Sequence, residues 1–150
     1  MSPSRLTPRD RVLRVNGDAP SVRLSTNLLS RTHWSERSSL VKAERERWIW
    51  LLKQQAAAIP RFTRPVDVAF KVRFGPDPFT GRTPRLDPDG LAAVCKTVLD
   101  VLTDGYAGAR PWDGLGLFHD DTTRCVGIVS YEVDATPGEP YLEITLKETR

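Results

Sequence analysis

Residues 66–74 read VDVAFKVRF, and this stretch decides the fold because it is the clearest strand in the chain. Valine and phenylalanine occupy every second position, and polar side chains, among them Asp67, Lys71 and Arg73, lie between them. Successive side chains of a strand point to opposite faces, so this alternation produces one apolar face and one polar face. The pattern therefore predicts a strand that buries one side against a second layer.

Residues 89–103, DGLAAVCKTVLDVLT, are predicted to form the second of two long helices. Their apolar residues recur at i, i+3, i+4, i+7, i+8 and i+11, the spacing of one helix face. These residues are Leu91, Val94, Cys95, Val98, Leu99 and Leu102. Asp89 is a suitable N-cap, because a short polar side chain can accept a hydrogen bond from a free N–H group of the first turn.

The flanking segments complete an α+β protein. Residues 1–20 hold three prolines, an Asn-Gly pair and scattered arginines, which predicts a loosely ordered basic arm. The other predicted elements are a strand at 21–25, a helix at 35–58 capped by a serine, a loop at 104–121, and strands at 124–133 and 141–146 that form a hairpin. The order is β-α-β-α-β-β, in one domain at 21–150 whose small mixed sheet is covered on one face by two main helices.

Composition excludes several classes of protein. The 150 residues suffice for one domain with a core. Two cysteines and two histidines are too few for a disulfide framework or a zinc site built on cysteine, so carboxylates would hold any metal. No apolar stretch approaches a membrane span, and the N-terminal residues lack the apolar core of a signal peptide. We therefore expect a cytoplasmic protein that does not enter a membrane.

Charge is divided unevenly along the chain. Residues 1–75 carry 15 Lys and Arg against 6 Asp and Glu, whereas residues 76–150 carry 7 against 13. Basic side chains can hold a polyanion, and carboxylates can hold the cation that acts on it. The division favours phosphate chemistry, although it is also compatible with a dipolar surface that has no function.

Two pairs of aspartates are the candidate metal ligands. Asp87 and Asp89 lie two residues apart before the second helix, and Asp120 and Asp121 lie just before a strand. Paired carboxylates repel each other unless a cation or a proton lies between them. Hard oxygen ligands with open water positions suit Mg²⁺ or Mn²⁺. Taken singly, each pair is also typical of a turn or a helix cap.

Lys96 adds a cation to this set. At about 100° per residue, Asp89, Lys96 and Asp100 share the helix face opposite the apolar stripe. A lysine beside carboxylates can hold a phosphate or stabilise a developing charge. The simpler alternative is an exposed Lys96–Asp100 pair, which contributes only a few tenths of a kcal/mol to stability.

The spacing of these residues resembles the RusA family of Holliday-junction resolvases. The matching residues are Asp87-x-Asp89-Gly90-Leu91, then Lys96-x-x-x-Asp100, then Asp120-Asp121 before a strand. The segment RTHWSERSSLVKAERERW at 31–48 is similar to the basic stretch that opens the first helix in that family. Members are small, dimeric, Mg²⁺-dependent endonucleases of bacteria, phages and prophages that act in DNA recombination and repair. The likeness covers residues 25–147.

The resemblance implies a role for each matching residue. Asp87, Asp89 and Asp121 would be the essential carboxylates that hold the metal, with Asp120 beside them in the metal site. Lys96 would be the catalytic lysine. The cofactor would be Mg²⁺, with Mn²⁺ as a substitute, and the reaction would be the resolution of four-way junctions by paired symmetric nicks from a homodimer.

Two departures from the family pattern affect this assignment. Gly90 stands where the family has Asn, a change that costs little for metal ligation. Lys96 lies seven residues after Asp89, where the family pattern has four. The spacing from Lys96 to Asp100 matches the family, which favours an inserted helical turn before the lysine.

The start of the first helix is the candidate DNA interface. Arg31, His33, Trp34, Arg37 and Lys42 place cations and aromatic rings together there. Such a mixture can bind backbone phosphates and stack on an unpaired base at a junction. Two alternatives stay open from the residues alone. One is a non-catalytic DNA-binding module of the same fold, and the other is an enzyme that acts on a small phosphorylated substrate with the same metal site.

Overall fold

The computed structural model describes residues 10–25, 33–76 and 80–149. The strands are β1 (Arg11–Asn16), β2 (Val66–Arg73), β3 (Gly105–Tyr106), β4 (Trp112–Asp113), β5 (Val126–Val133) and β6 (Tyr141–Glu148). The helices are α1 (Trp34–Ala57) and α2 (Pro88–Val101), with a short 3₁₀ helix at Val22–Leu24. Within these ranges, no helix is both long enough and apolar enough to cross a membrane.

A four-stranded sheet with the order β1-β6-β2-β5 forms the frame, and β3 and β4 form a separate two-stranded ribbon. β6 pairs antiparallel with β1 and β2, whereas β2 pairs parallel with β5. Leu13, Ile144 and Phe70 lie side by side in one row across three of these strands. All three are buried, so the apolar face predicted from residues 66–74 is the core face of the sheet.

Both helices contribute to a single core with this face of the sheet. In α2, Val94 and Val98 are fully buried, as the apolar stripe predicts. In α1 the buried positions recur every four residues, so this helix touches the core along a narrow line; they are Glu44, Trp48, Leu52 and Ala56. The predicted α+β class is therefore confirmed, with a small mixed sheet and two main helices in one domain.

The first strand lies earlier in the chain than the sequence predicts. Residues 11–16, which were expected to belong to a loosely ordered arm at 1–20, form β1 at an edge of the sheet, so the prediction is wrong there. Residues 1–9 of that arm lie outside the described residues. β1 pairs with the last strand of the chain, a contact for which local composition carries no sign.

The strand predicted at 21–25 is also wrong, because this stretch contains the 3₁₀ helix. Ser21 Oγ accepts a hydrogen bond from the Arg23 N–H (3.3 Å), and the Leu24 N–H donates to the Ser21 carbonyl (3.1 Å). A serine side chain favours such local bonds over strand pairing. The short alternation of SVRLS therefore does not lead to a strand.

The predicted C-terminal hairpin is wrong as well. β5 and β6 are consecutive in sequence, but β2 lies between them in the sheet and pairs with both. Parallel pairing of β2 and β5 requires a crossover connection, and α2 lies in that connection. The crossover brings the turn before β5 close to α2, and the candidate site lies where they meet.

Candidate nucleic-acid interface and carboxylate cleft

Three aspartates from two parts of the chain line one cleft of about 310 Å³. Asp100 belongs to the last turn of α2, and Asp120 and Asp121 belong to the turn that precedes β5. The lining also includes Arg45 of α1 and the β3–β4 ribbon. We refer to this cavity as the acidic cleft.

Lys96 links α2 to the turn before β5. Its Nζ donates a hydrogen bond to Asp100 Oδ1 (2.6 Å) and forms an ion pair with Asp121. Desolvation lowers the pKa of Lys96, but the two carboxylates outweigh it and the pKa is raised. Desolvation raises the pKa of Asp100, against the opposing effect of Lys96. The structure thus brings Lys96, Asp100 and Asp121 together, as the sequence predicts for the lysine and its helix partner.

Asp120 is oriented by a residue of its own turn. Its Oδ1 accepts hydrogen bonds from the Thr122 hydroxyl (2.6 Å) and from the Thr122 N–H (3.0 Å). The hydroxyl contact is the main reason that the pKa of Asp120 is lowered. Asp120 is therefore held as a carboxylate at the edge of the acidic cleft.

Asp87 and Asp89 lie at the other end of α2. Asp87 is the N-cap of α2, since its Oδ1 accepts a hydrogen bond from the Gly90 N–H (2.7 Å). The prediction of Asp89 as the N-cap is therefore wrong, because Asp89 lies in the first turn of the helix. At 1.5 Å per residue, Asp89 and Asp100 are about 16 Å apart along the helix axis. Among the described residues, no group of three or more Asp, Glu, His or Cys side chains is placed to hold a metal ion.

A second set of charged contacts lies beside the turn that carries Asp120. Arg61 makes two hydrogen bonds to Asp104, one of them from Nη2 to Oδ2 (2.9 Å). The Arg61 guanidinium is the main reason that the pKa of Asp104 is lowered to about 2. His119 Nδ1 lies 2.9 Å from the same Oδ2. These contacts tie the segment after α2 to the turn that carries Asp120.

A second cavity of about 830 Å³ adjoins the acidic cleft, and we refer to it as the basic groove. Its cations are Arg37, Lys42 and Arg45 of α1 and Arg110 of the loop between β3 and β4. No Asp or Glu is among the described residues that line it. Arg45 stacks on Trp112, with its Cζ 4.5 Å from the ring centroid. Within the described ranges, Lys42 and Arg110 form no ion pair, so their charge is available to an anion; Arg45 forms none either, but it interacts electrostatically with Asp100.

Neither models of known protein families nor curated proteins yield a match to this chain. The likeness to the RusA family therefore stays a resemblance of motif residues, and the roles that it implies stay predictions. The geometry of the groove and the cleft is the basis on which a function can be proposed.

The predicted DNA-binding residues are divided by the structure. Arg37 and Lys42 line the basic groove. His33 caps α1, in place of the predicted serine, and Trp34 beside it is 68% exposed but is not part of the groove lining. Arg31 lies outside the described residues. The predicted basic helix start therefore corresponds to the groove only from Arg37 onward.

Sequence reasoning did not select Arg45, although it belongs to the basic run of the first helix, and it missed Arg110 and Tyr106. Arg45 follows Lys42 by three residues and so lies on the same face of α1, a spacing that the sequence does show. The other two belong to the predicted loop at 104–121, whose length indicates a function but not a location. Only the approach of the ribbon to α1, seen in the Arg45–Trp112 contact, places them in the groove.

Proposed function

We propose that this protein is a metal-dependent endonuclease that cuts branched DNA, with the four-way junction as its substrate. The observation that carries the proposal is the continuity of the two cavities, because Arg45, Tyr106 and Trp112 line both of them. A strand held by its phosphates in the basic groove would therefore lead directly to the carboxylates of the acidic cleft.

The basic groove supports binding of the phosphate backbone. Its four cations come from a helix and from a loop, so they approach a bound strand from two sides. Guanidinium groups donate paired hydrogen bonds to phosphate oxygens, and three of the four cations are arginines. Phosphate contacts give affinity without reading sequence, which suits an enzyme that selects DNA by its shape.

The donor set of the acidic cleft fits Mg²⁺ or Mn²⁺, since both prefer carboxylate oxygens. Lys96 Nζ already holds a positive charge between Asp100 and Asp121, so two carboxylates there converge on a cation. The residues that would hold the metal there are Asp120 and Asp121; Asp87 and Asp89, which the RusA resemblance adds, lie at the other end of α2 and do not line this cleft. A bound divalent ion supplies Lewis-acid polarisation of a phosphoryl oxygen and lowers the pKa of a water ligand.

Lys96 would act on the phosphate that enters the cleft. Its side chain is 52% exposed, so the ammonium can reach a bound strand without leaving the helix surface. With Asp121 as a metal ligand, Asp100 would remain to orient the ammonium. A cation held in this way stabilises the negative charge that develops on the phosphate during cleavage.

A homodimer is the proposed working form. A four-way junction has two-fold symmetry, and its resolution requires two matched nicks on opposing strands. A dimer with two-fold symmetry supplies two sites in that arrangement. The enzyme would act on cellular DNA in the cytoplasm.

The proposal is tested by incubating the protein with an end-labelled four-way junction, with Mg²⁺ or with EDTA. We expect binding in both conditions and paired nicks only with Mg²⁺, while a linear duplex of the same sequence stays uncut. Binding without cutting in Mg²⁺ and in Mn²⁺ would favour a non-catalytic DNA-binding module. The absence of any DNA binding would contradict the proposal outright.

A further inference from the structure

The β3–β4 ribbon places two aromatic rings opposite each other. Tyr106 and Trp112 are direct cross-strand partners. Gly105 has a φ of +97°, and a Cβ at this position would overlap the Trp112 carbonyl oxygen, so the tight pairing requires glycine. A Cβ at Gly108 would collide with the phenol of Tyr106. Gly105 therefore permits the close approach of the two strands, and Gly108 leaves the space that the Tyr106 ring occupies.

The rings of Tyr106 and Trp112 differ in their exposure to solvent. Trp112 is partly buried and is stacked against the guanidinium of Arg45. Tyr106 is 56% exposed, although it lines both the basic groove and the acidic cleft. Its ring thus presents an apolar surface to solvent at the boundary between the phosphate-binding cations and the carboxylates.

We propose that the groove takes an unpaired stretch of DNA rather than a closed duplex, and that one base stacks on Tyr106 where the strand passes from groove to cleft. The inference rests on the proposed function and specifies which part of the substrate the site recognises. Stacking on an aromatic ring is independent of sequence, because every base has a π face. The bases of a closed duplex stack on one another, so only unpaired nucleotides can offer a free face to the ring.

A purely structural role for the ring makes a different prediction. A cross-strand Tyr–Trp pair can stabilise a two-stranded ribbon by itself. Removal of Tyr106 would then lower the stability of the ribbon and weaken the binding of every kind of DNA equally. If the ring stacks on a base, its removal weakens the binding of single-stranded DNA selectively. The ratio of the affinities for single-stranded and duplex DNA therefore separates the two explanations.

The experiment measures affinity by fluorescence anisotropy in EDTA, with a labelled oligo-dT and with a duplex of equal length. Tyr106→Leu is expected to weaken oligo-dT binding about 10-fold and to leave duplex binding within about twofold. Tyr106→Phe retains the ring and is expected to bind like the parent. Trp50→Leu is the matched control, because Trp50 is 77% exposed and lies outside the groove lining, and it is expected to change neither affinity.

Equal losses on both DNAs, or no loss on oligo-dT, would overturn the inference. If Tyr106→Leu proves unstable in urea, Gly108→Ala is the second test, because its Cβ would displace the tyrosine ring. A loss of affinity confined to oligo-dT supports the inference. An unchanged affinity for oligo-dT overturns it. A parent protein that binds duplex as tightly as oligo-dT refutes only this inference. A parent that binds no DNA, junctions included, refutes the proposed function itself.

Discussion

At Lys96, one ammonium group is shared by two carboxylates from different parts of the chain. Asp121 is both a partner of this ammonium and a proposed metal ligand, so the lysine and a divalent ion compete for it. Under the proposed function, Lys96 would have two opposing effects. It would weaken metal binding at Asp121, and it would supply the positive charge that cleavage of a phosphodiester needs.

Lys96→Met is accordingly expected to bind Mn²⁺ several-fold more tightly than the parent and to cut DNA more slowly. The reason is that the substitution removes a competing positive charge from Asp121 and a stabilising one from the phosphate. Electron paramagnetic resonance of free Mn²⁺ measures the affinity, with the exposed Lys147→Met on β6 as control. An unchanged Mn²⁺ affinity would show that the lysine and the ion do not share Asp121.

Among the secondary-structure elements, α1 carries three tryptophans, and two of them, Trp48 and Trp50, lie in opposite environments. Trp48 is fully buried, whereas Trp50 is 77% exposed. Trp48→Ala is expected to lower the free energy of unfolding by about 3–5 kcal/mol, because it removes core contacts and leaves a cavity. Trp50→Ala is expected to change it by less than about 0.5 kcal/mol. Urea denaturation measures both, and equal effects would contradict the packing of α1 described above.

The contact between Arg61 and Asp104 joins the segment before β2 to the segment after α2. Because Arg61 lowers the pKa of Asp104 from its ordinary 3.8 to about 2, the contact stabilises the fold fully above pH 4 and less as the pH falls through 2. Asp104→Asn is expected to lower stability only slightly at pH 6, since both groups are exposed, and by less near pH 2, where part of Asp104 is already protonated. Urea midpoints at the two pH values test this, and a cost that grows toward pH 2 would contradict it.

The sequence predicts an element well where periodicity alone determines its structure. β2 and α2 lie where the alternation and the helical stripe place them. The predictions of a loosely ordered arm at residues 11–16 and of a C-terminal hairpin are wrong, because strand pairing depends on a partner elsewhere in the chain. Alternation predicts that a segment can be a strand, but it does not predict which strand lies beside it.

The candidate site follows the same rule. The pairing of Lys96 with Asp100 follows from helical spacing, and their meeting with Asp121 follows from the crossover between β2 and β5. The groove residues Arg110 and Tyr106 come from a loop with no periodicity. Their location depends on the packing of the ribbon against α1, which no local pattern encodes.

In the whole molecule, the basic and acidic halves of the sequence do not form separate basic and acidic surfaces. Arg110 belongs to the acidic half of the chain but lines the basic groove. Arg45 belongs to the basic half but lines the acidic cleft as well. The two cavities therefore form one continuous surface, to which the basic half of the chain contributes cations only and the acidic half contributes charges of both signs.

Salt dependence tests whether this surface binds DNA as a unit. Lys42→Ala and Arg110→Ala are each expected to weaken junction binding and to reduce the salt slope of the affinity by about 1, because each removes one phosphate contact. Lys53→Ala, an exposed lysine of α1 outside the groove lining, is the control and is expected to retain the parental slope. If Arg110→Ala retains the parental salt slope, the loop between β3 and β4 does not contact the DNA.

Central to the proposed function is that the carboxylates of the acidic cleft are required to cut the DNA that the basic groove holds. Single-turnover cleavage of a labelled four-way junction in saturating Mg²⁺, compared between Asp121→Asn and the parent, tests it most directly. Asp121→Asn is expected to bind the junction as tightly as the parent and to cut at least about 100-fold more slowly. Asp113→Asn changes an exposed aspartate of β4 outside the cleft lining, and it is expected to cut like the parent. Cleavage by Asp121→Asn at the parental rate would contradict the claim.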